Sequence, residues 1–107
     1  MSDATVVMNK ITEKVKNKPE ILADVNAVIA VNLTGESGGR WVIDCNKKPA
    51  EVKLDETMKA DMTLTMDAQD MVKMSEGELN PQMAFLSGKI KIDGSMSLAM
   101  KLGKLLS

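Results

Sequence analysis

Ten methionines, no histidine, one cysteine and one arginine set the chemical range of this 107-residue chain. Without histidine, the commonest general base and the commonest metal ligand are both missing. Cys45 stands alone, and a thiol without an imidazole supports neither a zinc site nor a Cys–His nucleophile pair. On an alternating strand it reads as core. Arg40 has two readings, a contact for a bound carboxylate or a surface charge at a hairpin. Asp67 and Asp70 lie three apart at a helix start, where the helix dipole already accounts for them and a catalytic pair is not needed. Gly38-Gly39 leads into a strand rather than a helix, so it does not cradle phosphate. No catalytic residue, metal site or cofactor is expected, and the chain is not read as an enzyme.

The thioethers are the remaining resource, and their spacing is regular. Met62 and Met66 flank Leu64 on one strand face. Met71 and Met74 are three apart on a helix, Met83 and Leu86 repeat that spacing, and Met96 and Met100 are four apart. With Trp41 and Phe85 as the only aromatic residues, any core must be filled by aliphatic chains and methionines. Two readings stand side by side. The methionine faces pack into a solid interior, or they fail to meet and leave an apolar cavity lined by adaptable side chains. In a cavity, each buried methylene of a ligand would supply about 0.8 kcal/mol without any polar contact.

Composition narrows the setting. Hydrophobic residues make up 44% and charged residues 27%, ordinary for one globular domain spanning residues 1–107. A formal net charge of -1 speaks against nucleic acid, which requires a clustered basic surface. Lys10, Lys14, Lys16 and Lys18 are interleaved with apolar residues and read as a solvated helix face, with a weak membrane-docking face as the sharper alternative. No apolar run of about 18 residues or more is present, so no span is expected. Met1-Ser2-Asp3-Ala4 lacks the form of a secretory signal, and Leu105-Leu106-Ser107 is not a Ser-Lys-Leu type address. The lone cysteine fits a reducing compartment, and a cytoplasmic protein is expected.

The elements that position these side chains follow from periodicity. Val7, Met8, Ile11 and Val15 recur at helical spacing over residues 5–15, and Lys18-Pro19 disfavours further helix. Over residues 24–34, Ala27, Ile29, Val31 and Leu33 alternate with Val28, Ala30 and Asn32, which predicts a strand. A Gly-rich turn at residues 35–39 leads into a second strand over 40–45, forming a hairpin. A third strand is expected over 51–54 and a fourth over 61–66, the four forming a meander. The threonine face of the fourth strand tolerates water, so one side of the sheet is expected to stay uncovered. Asp67 caps a helix over 68–75 that Gly77 ends. Asn80-Pro81 opens a helix to about residue 87. Residues 89–93 alternate as a last strand, and Gly94-Ser95 opens a C-terminal helix. The fold class is α+β, with helices collected on one face of a mostly antiparallel sheet.

Three segments also resemble a known family. They are Lys59-Ala60-Asp61-Met62-Thr63-Leu64-Thr65-Met66, then the run from Gly77-Glu78-Leu79-Asn80-Pro81 through Ile90-Lys91-Ile92-Asp93-Gly94, then residues 96–102. These are similar to the sterol carrier protein 2 family, and the strand Trp41-Val42-Ile43-Asp44 matches as well. The resemblance is strong over residues 61–102, while the N-terminal helix matches only in pattern. It implies a five-stranded, mostly antiparallel sheet covered on one face by helices. It further implies an apolar lipid tunnel between the two layers and a C-terminal helix acting as a movable lid. Members of the family bind fatty acids, fatty acyl-CoA, phospholipids and sometimes sterols. The positions matching the family's lining are Ile43, Leu64, Met66, Met71 and Met74, then Met83, Leu86, Met100, Leu102 and Leu105. Two departures stand out. The peroxisomal address common among eukaryotic members is missing, and aromatics frequent in relatives' cavities are largely replaced by methionine. The second favours a flexible acyl chain over rigid sterol. The resulting expectation is non-enzymatic lipid binding and carriage, with a lipid ligand, transient membrane contact and no nucleic acid as partners. The oligomeric state stays open. The rival is a filled-core interaction or accessory domain that docks to a lipid-metabolising enzyme.

Overall fold

A computed structural model describes residues 4–35, 38–47 and 50–106, with side chains described over 5–35, 38–47 and 50–101. Residues 36–37 of the expected turn, residues 48–49 ahead of the expected third strand, and the side chains of Leu102 and Leu105 fall outside that description. The chain runs α1 (Ala4–Asn17), a 3-10 turn (Pro19–Ile21), β1 (Val28–Thr34), β2 (Gly39–Asp44) and β3 (Glu51–Leu54). It continues with β4 (Met62–Asp67), α2 (Ala68–Ser75), α3 (Pro81–Leu86), β5 (Ile90–Gly94) and α4 (Met96–Leu106).

The five strands form one sheet in the order β3-β2-β1-β4-β5. Three neighbouring pairs are antiparallel, and β1 with β4 is parallel. The expected four-strand meander therefore holds only to β3. β3 is a short edge strand of half-buried and exposed residues, whereas Met62, Leu64 and Met66 of β4 are all buried. An apolar strand of that kind gains more burial between two neighbours than beyond a thin edge. The strand expected from residue 24 begins at Val28.

The register places Val31 opposite Trp41 and Leu64, and Ile29 opposite Ile43 and Met62. Their face carries the core, closed by Val7, Met8, Ile11 and Val15 of α1 and by Met71, Val72 and Met74 of α2. Cys45 is fully buried in the same core. On the other face, the connection from β3 to β4 starts where the Asp55 N–H donates to Arg40. Arg40 then fastens it: Nη1 donates to the Asp55 carbonyl at 3.0 Å and Nη2 to the Met58 carbonyl at 2.7 Å. Ala30 and Val42 on this face are fully buried, and Thr63 and Thr65 are half-buried. The face without helices is thus partly shielded rather than open. Arg40 acts as a staple for main-chain carbonyls, which settles its structural role.

The Asp55 carboxylate organises the same loop, accepting from the N–H of Thr57 at 2.8 Å and of Met58 at 2.9 Å. These main-chain hydrogen bonds hold its carboxyl below the usual aspartate range. Helix boundaries follow their local signals. Asp67 caps α2 by accepting from the Gln69 N–H at 2.8 Å, and Gly77 follows with φ +80, a geometry that favours glycine. Asn80 Oδ1 accepts from the N–H of Gln82 and Met83, with Pro81 at the first position of α3.

Candidate functional site

A cavity of about 190 Å3 opens beside β5, between the sheet and the two C-terminal helices. Its floor is Leu64 of β4 with Ile90 and Ile92 of β5. Leu64 and Ile92 are cross-strand partners in the register, so their side chains rise from the same face. One wall is Pro81, Gln82 and Phe85 of α3, and the other is Met96, Ala99 and Met100 of α4. Spacings of three and four along each helix bring those side chains onto one side. Gln82 is the polar lining residue, and the rest offer only dispersion and apolar burial. None of these described lining residues is an acid, a base, a nucleophile or a metal ligand of the usual kinds. Among the described residues, no cluster of three or more His, Cys, Asp or Glu side chains forms a metal site.

The residues singled out from the sequence divide into four groups. Leu64 and Met100 line the cavity. Ile43, Met66, Met71 and Met74 are buried in the continuous core. Met83 and Leu86 are 62% and 74% exposed and lie outside the cavity. The side chains of Leu102 and Leu105 are among those not described. The difference at α3 has a clear cause. The helix buries Ala84, the small residue that permits close approach to the sheet, and the Lys89 N–H donates to the Ala84 carbonyl at 2.9 Å. With Ala84 inward, Phe85 turns to the cavity while Met83 and Leu86 turn to water. Sequence reasoning did not single out Phe85, Ile92 or Ala99 as lining residues. Alternation of residues 89–93 was the signal that could have placed Ile90 and Ile92.

A second cavity of about 390 Å3 lies between the end of α1, the 3-10 turn and the start of β3, lined by Val15, Leu22, Ala50 and the exposed Lys16 and Lys18. It is larger, yet it adjoins residues 48–49, which are not described. The β5 cavity, walled almost wholly by apolar side chains and bounded by a terminal helix, is the better candidate. α4 packs on the core through Leu98 and Ala99 and is also tied by Lys101, whose Nζ lies 2.7 and 2.6 Å from the two carboxylate oxygens of Asp24.

A model of the SCP-2 sterol transfer family matches residues 8–107. The chain belongs to that family. The family's fold is found in sterol carrier protein domain 2 of Helicoverpa armigera, at TM-score 0.76 and 35% identity over 92% of this chain and 81% of that one. Palmitated SCP2L2 from Aedes aegypti superposes at TM-score 0.83 and 26% identity, covering 98% of this chain and 95% of the mosquito chain. Among curated proteins, hydroxysteroid dehydrogenase-like protein 2 of Bos taurus is 43% identical over 89 residues, which is 82% of this chain. The human protein of that name is 42% identical over the same length. The chain spans 21% of the length of these two relatives. The mosquito SCP2L2 is palmitated, and sterol carrier protein-2 of the same mosquito is found in complex with palmitate. No helix among the described residues is long and apolar enough to cross a membrane.

Proposed function

We propose that this domain, residues 1–107, binds and carries lipid tails in the β5 cavity with no covalent step. The reading rests on one observation: an apolar cavity, walled by two helices, in a chain whose fold matches that of a palmitated neighbour. Fatty acid, fatty acyl-CoA and phospholipid are the favoured ligands, and sterol comes second. Met96 and Met100 supply flexible walls that follow a bending chain better than they meet a rigid ring system. The cavity volume of about 190 Å3 lies below the roughly 300–1,000 Å3 of ordinary small-molecule sites. A full-length tail therefore requires α4 to move outward, breaking the Lys101–Asp24 pair. The working location is the cytoplasm.

Native mass spectrometry of freshly purified protein, followed by denaturation and identification of what is released, tests the reading. A fatty acid or phospholipid near one-to-one supports it. A bare chain that also fails to take up a fluorescent acyl probe overturns it. A second reading, a filled-core domain docking to a lipid-metabolising enzyme, draws support from Met66, Met71 and Met74, which fill the interior rather than line a cavity. It also draws support from relatives in which the matched segment is about a fifth of a longer protein. Preference for acyl-CoA over free acid would mark a delivery role within such an assembly.

A further inference from the structure

We propose that β5 pairs edge to edge with β5 of a second copy of this chain, in an antiparallel two-fold dimer. β5 is an outer strand of the sheet, and among the described residues 90–94 make no main-chain hydrogen bond beyond the ladder to β4. The outward N–H and C=O groups of such a strand are a template for another. A lysine on an edge ordinarily keeps a second strand away. Here Asp93 stands two residues from Lys91, and one register turns the two charges into an attraction. Ile90 and Ile92 line the cavity on the helix-covered face, so Lys91 and Asp93 lie on the other face. Residues that face one another across paired strands share a face of the sheet, so a two-fold pairing is centred on one residue opposite its own copy. Centred on Lys91 it sets two lysines together, and centred on Asp93 two carboxylates, both unfavourable. Centred on Ile92 it overlaps the whole of Ile90–Gly94, sets Lys91 opposite Asp93 twice, and brings Ile92 against Ile92.

Both charges are available for this. Lys91 and Asp93 are exposed, and their cross-strand neighbours on β4 are the uncharged Thr65 and Thr63. Among the described residues, neither has an ion-pair partner. The opposite edge differs. On β3, Glu51 and Lys53 alternate in sign in the same way, but Lys47 lies 3.1 Å from Glu51. Lys53 lies 3.5 Å from Glu51 and 3.9 Å from Asp55. Those charges are engaged within the chain, which leaves β5 as the self-complementary edge. The pairing also bears on the cavity. Leu64, Ile90 and Ile92 form its floor, and that floor ends where the sheet ends, at β5. On the lipid-carriage reading, the second copy continues the apolar floor with its own Ile92.

Sedimentation velocity of the 107-residue chain at about 10–500 µM tests this, a range suited to the weak association that a short edge supports. A monomer–dimer equilibrium is expected, weakening as salt rises from about 50 to 300 mM. Lys91→Asp and Asp93→Lys should each be monomeric, because either change sets like charges face to face. An equimolar mixture of the two variants should dimerise, since each supplies the charge that the other lacks. The double variant Lys91→Asp with Asp93→Lys should dimerise as the wild type does. All of these positions are exposed, and unchanged far-UV circular dichroism confirms that the variants fold. A wild-type chain that stays monomeric throughout, a dimer indifferent to both single variants, or a mixture that stays monomeric overturns the proposal. Uptake of a fluorescent fatty acid is measured in parallel. A dimer with this charge pattern in a chain that takes up no fatty acid upholds the edge pairing and rejects the carriage reading.

Discussion

Asp61 and Val28 hold each other twice. The Asp61 N–H donates to the Val28 carbonyl at 2.8 Å, and the Val28 N–H donates to the Asp61 carboxylate at 2.8 Å. The first residue of β1 is thereby tied to the residue just before β4, and the parallel pairing of Ile29 with Met62 starts from that point. This is where the chain departs from a simple meander, and Asp61 supplies the contact that a hydrophobic pattern alone lacks. Gly94 closes the same corner, since a Cβ there would come within 2.5 Å of the Asp61 carbonyl. Replacing Asp61 with Ala should cost about 1–2 kcal/mol, the value of a hydrogen bond to a charged group reduced for exposure. Urea unfolding of Asp61→Ala checks this, and an unchanged midpoint would show that strand pairing needs no such clasp.

The cavity predicts its own plug. Ala99→Phe places a ring between Leu64, Ile92 and Phe85 and denies a ligand tail that space. Excluding two methylenes at about 0.8 kcal/mol each lowers fatty-acid affinity about fifteenfold. Stability should change little, because the cavity is open space at the edge of the core. Competition with a fluorescent acyl probe measures it, and unaltered affinity would place the tail elsewhere, with the cavity lined by Val15 and Leu22 next in line. Charge placed deeper would not probe the cavity, since Met71 is fully buried and Met71→Asp should unfold the chain.

The Lys101–Asp24 pair predicts a kinetic effect. A partly exposed ion pair contributes at most about 1 kcal/mol to stability. Lys101→Ala should therefore leave the melting temperature nearly unchanged while releasing α4. Amide hydrogen exchange in α4 should speed up, and acyl-probe association and dissociation should both accelerate with little change in their ratio. Unchanged exchange in α4 would mean that the helix is held by its apolar contacts alone.

The loop between β3 and β4 predicts a response to acid. The carboxyl of Asp55 is held low by main-chain donors and by the Thr57 hydroxyl, and that of Glu51 by Lys47, 3.1 Å away. A carboxylate with a depressed folded-state pKa stabilises the fold above its unfolded value and loses that contribution as pH falls through the folded value. Stability should thus decline below about pH 4, and Asp55→Asn should flatten that acid limb. Urea midpoints measured across the acid range decide it, and parallel curves for wild type and variant would remove Asp55 from the account.

How much of this was written in the sequence differs from element to element. α2 and β3 have the boundaries expected from residues 68–75 and 51–54. Their signals are local: the Asp67 cap, the positive φ at Gly77, and alternation along a short strand. The inward faces of β1 and β2 were legible for the same reason, since a period of two leaves one choice once one side is apolar. The pairing of β4 was not legible. Parallel addition beside β1 rests on contacts between residues 28 and 61, and no local pattern encodes a partner so far along the chain.

The site divides along the same line. Apolar spacing marked positions without telling the core from the cavity, because both ask for the same side chains. Whether Met66, Met71 and Met74 fill the interior while Met100 borders open space depends on how closely the layers approach. α3 is the sharpest case. In a six-residue helix carrying Met83, Ala84, Phe85 and Leu86, each residue turns about 100° from the last, and several faces are apolar enough to be buried. The amino acids establish an α+β domain with methionine-rich faces. The choice of Ala84 as the buried contact, and with it the exposure of Met83 and Leu86, was made by the distance between α3 and β5, a quantity that exists only once the sheet has formed.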